Sequence, residues 1–199
     1  MDTTIKTIKA RTGDALYRIR IIYDEMPDSP RRLYDNVGII NCFHKRRDIG
    51  DRHDHRHDEF DGWEEFGRHL AEAHGAIHLR PVMLIEHSGT RLYIGTEKRC
   101  EFDSGRVGWV YATRGRYAEA YGEEWADLPE QRERLDWAFS VEIDALNDYM
   151  NGAVYAYVIE KLNVREGEWE GEESCHGHYG EFTEEEAMYF LNEYIGKVA

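Results

Sequence analysis

The sequence predicts one α+β domain over residues 1–199, with a mixed or antiparallel sheet and about three to four helices. Strand and helix patterns interleave, but without the regular alternation and glycine-rich phosphate loop of a parallel α/β fold. Hydrophobic residues make up 41% and aromatic residues 13% of the chain, enough to close a core despite 33% charged residues. A length of 199 residues favours one domain over two.

The first half of the sequence predicts strands around one helix. Residues 16–24 alternate apolar side chains with Arg18 and Arg20, the pattern of a half-buried strand, and residues 37–43 form a second, mostly apolar strand. The next apolar residues recur at helical spacing and predict a helix that ends at a glycine: Trp63, Phe66, Leu70, His74, Gly75.

The second half predicts a hairpin, a further strand and the longest helix. Residues 81–86 and 91–95 read as a hairpin, residues 106–113 as the next strand and residues 116–123 as a short helix. An apolar stripe that Gly152 ends predicts the long helix: Leu135, Phe139, Ile143, Leu146, Met150.

The chain is predicted to end with a strand, a loop and a capped helix. Residues 154–162 alternate apolar side chains on both faces, and the acidic, glycine-rich residues 167–173 predict a mobile loop. Thr183 with Glu186 is a capping box for the last helix.

Aromatic residues on strand or helix faces, including Trp137, are expected in the core. Trp125 and Trp169 stand in acidic stretches and are expected to be exposed.

Negative charge is concentrated in the C-terminal half. The formal net charge is −15, and residues 111–199 carry 21 acidic but only 7 basic side chains. Such a surface repels nucleic acid and anionic membranes and attracts a basic partner.

The chain also lacks a long apolar run and an apolar N-terminal segment of the kind found in secretory signals, so we expect it in the cytoplasm. Three scattered cysteines predict reduced thiols and no disulfide framework.

Residues 42–59 are rich in possible metal ligands. They hold four histidines, four aspartates, one glutamate and one cysteine. Imidazole and carboxylate suit zinc, manganese, iron or nickel, and alternate histidines project from one side of an extended segment. The candidate metal ligands are His44, His53, His55 and His57. The alternative interpretation is a polar loop whose side chains face water.

Polar residues beside glycine mark three further segments. They are residues 86–89, residues 103–105, which favour a turn, and residues 174–178. Cys175 with His87 or His176 as a base would give a nucleophile, but the neighbouring acidic residues raise a thiol pKa and argue against it. His87 beside Ser88 lacks the flanking glycines of a nucleophile elbow.

Several motifs carry a family resemblance. Residues 42–51 (Cys-Phe-His to Gly-Asp), residues 103–108 (Asp-Ser-Gly-Arg-Val-Gly) and residues 174–180 together resemble a family of small uncharacterised proteins of bacteriophages and mobile elements. The resemblance implies a mobile-element setting inside a host cell. It implies no specific reaction.

The first functional hypothesis combines this setting with the acidic half. The chain would inhibit a host nuclease or nucleic-acid-binding complex, in the manner of anti-restriction or anti-CRISPR proteins, by presenting carboxylates to a basic groove that normally holds nucleic acid. It would need no cofactor. The candidate contact residues are Glu123, Glu124, Asp127, Glu166, Glu168, Trp169, Glu170, Glu172 and Glu173.

The alternative hypothesis is a metal-dependent hydrolase or nuclease that uses a divalent transition metal. The metal would lower the pKa of a bound water, while Lys45, Arg46 and Arg47 hold the anionic substrate. The residues proposed to build this site are His44, Asp51, His53, His55, His57 and His87. A third possibility is a structural or accessory phage protein.

Overall fold

In the computed structural model, which describes residues 4–87 and 89–198, the predicted α+β class is confirmed, and both sheets are antiparallel. The chain divides into two compact units, Met1–Asp28 with Gly152–Ala199, and Ser29–Asn151. The expectation of one domain over residues 1–199 stays a prediction. None of the helices in the described residues is long and apolar enough to cross a membrane.

The first unit is a four-stranded sheet covered by one helix. Its strands are β1 (Thr4–Thr12), β2 (Ala15–Tyr23), β7 (Val154–Asn163) and β8 (Glu168–Tyr179), in the order β1-β2-β7-β8. Helix α5 (Glu184–Val198) packs on β1 and β2 and starts at the predicted capping box, in which the Glu186 amide donates to Thr183 Oγ1. Its core joins aromatic and aliphatic side chains of both layers: Tyr17, Ile19, Ile21, Tyr157, Ile159, Ala187 and Leu191.

The second unit places a four-stranded sheet between helices. The strands are β3 (Ile39–Cys42), β4 (Ala76–Glu86), β5 (Thr90–Ile94) and β6 (Ser104–Thr113), in the order β3-β6-β4-β5. The helices are α1 (Pro30–Leu33), α2 (Trp63–His74), α3 (Arg114–Tyr121) and α4 (Pro129–Met150). With α5 there are five α-helices in the described residues, of which α1 is a single turn.

The two faces of this sheet have separate cores. The apolar stripe of α4 packs on Val82, Leu92 and Val110 on one face. Helix α2 covers the other face, where Phe66 and Leu70 pack against Tyr111. Alternation along β6 explains this division, because Val110 and Tyr111 are neighbours that point to opposite faces.

The predicted mobile loop at residues 167–173 is wrong. Gly167, in the left-handed conformation, completes a tight turn, and residues from Glu168 onward form β8 against β7. The sequence pattern missed this strand because β8 is an edge strand, and its glutamates face solvent rather than alternate with apolar residues.

Three tryptophans also depart from the prediction, and one of them, Trp169, was expected to be exposed but is half-buried on β8. Trp137 was expected in the core but is 68% exposed on α4, and Trp125 was expected at the surface but is buried. Trp125 packs edge-on to Tyr117 at a ring distance of 5.1 Å. The acidic residues beside Trp125 in the sequence made it look exposed. The burial of the indole is decided instead by tertiary packing, which the adjacent residues do not reveal.

Gly67 allows α2 to approach β6 closely. A β-carbon at this position would lie 2.7 Å from Cζ2 of Trp109, and the Trp109 indole is held because its Nε1 donates to the Trp63 carbonyl oxygen at 3.0 Å. Contact at this distance requires a side chain or the helix to shift.

We therefore expect Gly67→Ala to lower the free energy of unfolding by about 1–3 kcal/mol, the usual cost of overpacking. Gly115→Ala is the matched control, since Gly115 also lies in a helix but a β-carbon there meets nothing within 4 Å. The control should be neutral or stabilising by up to about 1 kcal/mol. Urea denaturation of both variants measures the difference, and equal stabilities would contradict this account of the packing.

Candidate metal centre and adjoining cleft

A buried arginine fixes the start of the histidine-rich segment. The Arg31 side chain is only 4% exposed, and its guanidinium lies 2.7 Å from carboxylate oxygens of both Asp51 and Glu142. Burial alone would lower the pKa of Arg31, but these two carboxylates outweigh it and raise the pKa. Asp51 also accepts a hydrogen bond from the Ile40 amide at 2.8 Å, which ties it to β3.

Residues 51–62, hereafter the histidine loop, run from this anchor to the start of α2. The loop contains one short 3-10 turn, His57–Glu59, and otherwise has no regular structure. Its histidines do not share one side. The rings of His53 and His57 lie 5.2 and 5.4 Å from the ring of Phe43, whereas His55 packs on α2 against Phe66 at 5.4 Å.

Three imidazoles converge where the loop crosses α2. The ligand atoms of His55, His69 and His74 all lie within 4.8 Å of one another. The His55 ring is 5.2 Å from that of His69 and 4.9 Å from that of His74. We call these three residues the histidine cluster. Because α2 buries Phe66 and Leu70 against the sheet, His69 is half-buried and His74 is exposed in the last turn.

The cluster fits a transition metal. Zinc-to-imidazole bonds of about 2.0–2.1 Å in a tetrahedral site place two ligand nitrogens about 3.4 Å apart. The ligand atoms of the three imidazoles, all within 4.8 Å of one another, are thus within about 1.4 Å of that spacing, and His74 is exposed and has room to rotate. Imidazole donors suit zinc, copper, iron or nickel rather than magnesium or calcium. His55, His69 and His74 would hold the ion and leave a fourth position open.

The surroundings of His55 favour its neutral imidazole. Burial lowers the pKa of His55, and the neighbouring imidazoles of His74, His53 and His69 lower it further. Neutral imidazole is the form that binds a metal.

An open cleft of about 950 Å³ lies on the other side of the histidine loop. Its floor and walls include Cys42, Phe43 and Trp63, together with His53 and His57 of the loop. The Cys42 thiol is buried, which raises its pKa to about 12, so this sulfur stays protonated and is a poor ligand or nucleophile. His53 lines the cleft, and its ring also stacks on His55 at 5.5 Å. This side chain therefore separates the cleft from the histidine cluster.

The structure does not bring together the four predicted metal ligands. His55 alone enters the histidine cluster. His53 Nε2 donates to the Cys42 carbonyl oxygen at 3.0 Å, and His44 Nε2 lies 3.5 Å from a Glu86 oxygen. His57 packs edge-on to Trp63 at 5.3 Å. His53 and His57 face Phe43 whereas His55 faces α2, so alternate residues of the loop do not point the same way.

The predicted partner-binding residues are divided between the two units. Glu123, Glu124 and Asp127 lie between α3 and α4, whereas the other six lie in or beside β8. Several of these carboxylates have internal partners. Glu123 binds Arg134 at 2.6 Å, and Asp127 binds Arg132 at 2.6 Å.

The β8 carboxylates also have partners within their own unit. Glu170 accepts from Asn163, Glu172 from the Tyr194 hydroxyl and Glu173 from the Tyr157 hydroxyl. Trp169 is half-buried beneath the Arg18 guanidinium, which lies 4.3 Å from its ring centre. Glu166 and Glu168 are exposed, and neither side chain has a partner among the described residues.

The remaining candidates form no nucleophilic site. The Cys175 thiol is exposed and donates to the His176 carbonyl oxygen at 3.7 Å, while the His176 ring lies 3.8 Å from Asp24. His87 Nδ1 is 3.1 Å from Asp103, which also accepts from the Cys100 thiol. The proposed His87–Ser88 pair involves Ser88, which lies outside the described residues. Arg46 is exposed and belongs to a second depression beside Phe102 rather than to the main cleft.

The sequence analysis missed His69 and His74. His74 was noted only as part of the helical repeat, and His69 was not singled out. The available signal was a pair of histidines on one short amphipathic helix that directly follows a histidine-rich loop.

Comparisons with protein families, with curated proteins and with solved structures find no match to this chain. The resemblance to phage proteins therefore stays a prediction.

We expect Arg31→Met to lower the free energy of unfolding by about 3–5 kcal/mol, because it leaves two partly buried carboxylates without their cation. Arg56→Met is the control. It removes an exposed ion pair with Asp58, which solvent screens, so we expect its stability to stay close to that of the parent protein. Urea denaturation followed by tryptophan fluorescence measures both values. A cost for Arg31→Met no larger than that for Arg56→Met would contradict the anchoring role.

Proposed function

We propose that this protein binds one divalent transition metal at His55, His69 and His74 and belongs to the class of metal-dependent hydrolases. The convergence of the three imidazoles carries the proposal. A three-histidine site leaves one position for water, and a bound divalent metal lowers the pKa of that water to about 7. The cleft lies beyond the His53 side chain from the histidine cluster, so the His53 ring would have to turn aside for a substrate in the cleft to reach the metal.

The proposal keeps the hydrolase hypothesis from the sequence and changes its ligand set. His55 is retained, His69 and His74 replace the other predicted ligands, and His53 and His57 become residues of the cleft wall. The host-cell cytoplasm remains the proposed location.

Metal titration of the chelator-treated protein tests the site. We expect one equivalent of Zn²⁺ to bind, and one equivalent of Co²⁺ to give the intense visible absorption of tetrahedral coordination. His69→Gln should weaken binding by more than the roughly 10–100-fold that loss of an outer-sphere partner costs. His87→Gln is the control, since His87 is a 79% exposed imidazole bound to Asp103, outside the cluster. The proposal would be wrong if the protein bound no stoichiometric metal, or if the two variants had equal affinity for Zn²⁺.

A second proposal keeps the acidic inhibitor hypothesis. Its support is that Glu166 and Glu168 are exposed and that neither side chain has a partner in the part of the chain that the structure describes. They lie at the turn that starts β8, on the open edge of the first unit's sheet. These carboxylates would meet the basic surface of a host nuclease or nucleic-acid-binding complex.

The second proposal predicts salt-sensitive inhibition of a DNA-cleaving nuclease. Inhibition should be strong at low ionic strength and weaken at high salt, because exposed charges are screened within a Debye length of about 8–10 Å. The double variant Glu166→Gln/Glu168→Gln should relieve the inhibition. The double variant Glu130→Gln/Glu133→Gln, which neutralises two exposed charges on α4, should not. Inhibition that ignores salt, or that both double variants relieve equally, argues against this proposal.

A further inference from the structure

The cleft concentrates positive charge in an acidic chain. Four cationic side chains line it, against three carboxylates. One of the carboxylates, Asp51, shares the buried Arg31 with Glu142, and one of the cations, Arg106, is paired with Glu64 at 3.2 Å. The cations that line the cleft are Lys45, Arg47, Arg52 and Arg106.

Two of these cations are available to a ligand. Lys45 and Arg52 are exposed, and neither has a partner among the described residues. Arg47 donates to the Thr90 hydroxyl at 2.6 Å, a neutral partner that leaves its charge uncompensated. An unpaired cation at the rim of a cleft attracts an oxyanion and can donate charge-assisted hydrogen bonds to it.

Aromatic side chains line part of the cleft. The Arg106 guanidinium stacks 4.0 Å from the ring centre of Trp109 and 5.5 Å from that of Trp63. Its Nη1 donates to Glu64 at 3.2 Å, whereas its Nε and Nη2 are buried and have no hydrogen-bond partner among the described residues. Phe43 and Trp63 line the same space. An aromatic wall next to a cationic rim suits a ligand with a planar organic group and a charged end.

The overall charge of the protein limits the size of the ligand. A formal net charge of −15 repels an extended polyanion along most of its length. A small dianion responds instead to charges within a Debye length of about 8–10 Å, which are the cations of the cleft.

We propose that the cleft is a binding site for a small phosphate monoester with a planar organic group, of the nucleoside monophosphate type. Lys45, Arg47 and Arg52 would hold the phosphate, and Phe43 and Trp63 would contact the planar group. That this ligand is the substrate rests on the proposed metal-dependent function. Its binding does not, because the cations of the cleft are separate from the histidine cluster.

The test uses the full-length, chelator-treated protein and isothermal titration with AMP, inorganic phosphate, adenosine and duplex DNA. We expect AMP to bind, phosphate to bind more weakly and adenosine not to bind measurably. Arg52→Gln should weaken AMP binding about tenfold or more, the effect of one charge-assisted hydrogen bond. Arg56→Gln is the matched control, since Arg56 lies in the same loop and is exposed but does not line the cleft.

Each alternative outcome decides against the inference. No binding of AMP, adenosine binding as tightly as AMP, tighter binding of duplex DNA, or equal losses in Arg52→Gln and Arg56→Gln would overturn it. Lys45→Gln tests a second of the cations proposed to hold the phosphate, and it should also weaken AMP binding. Because the titration contains no metal, a failed metal site leaves its result intact, and a failed AMP titration leaves the metal titration intact.

Discussion

The ion network around Arg31 is the constraint on which the candidate site depends. One guanidinium binds Asp51 at the start of the histidine loop and Glu142 in the middle of α4, and it also donates to the Gly38 carbonyl oxygen next to β3. A buried cation is costly unless its partners are in place, so these three segments are held in one arrangement. The loop that follows has little regular structure, and its position is fixed by this anchor at one end and by α2 at the other.

The sequence predicted elements whose signals are local. Helix α2 spans Trp63–His74 and ends at Gly75 in the left-handed conformation, as its repeat and its glycine indicated. Strand β8 was missed because its residues are acidic, and only the partner β7, several residues earlier in the chain, makes them a strand. The burial of Trp125 and the exposure of Trp137 were likewise decided by tertiary packing.

The candidate site shows the same difference between what local sequence signals predict and what tertiary packing decides. The composition of the loop indicated metal chemistry and included His55. The other three predicted ligands were wrong because alternate histidines of the loop were expected to point to the same side. His69 and His74 fitted the helical period of α2, so nothing in the local pattern required another role for them. The cleft was partly foreseen through Lys45 and Arg47, whereas Arg106 joins it only because β6 lies beside β3.

All three members of the histidine cluster come from one stretch of 20 consecutive residues, His55 to His74. Closing so short a span costs little chain entropy, and the cost grows only slowly with length. The sheet of the second unit, by contrast, needs β3 and β6 to meet across more than 60 residues. The three imidazoles are therefore close along the chain, but the loop that carries His55 is anchored through Arg31 to Glu142 of α4, and α2 packs on β6, so the cluster reaches its final arrangement only after β6 and α4 have been synthesised.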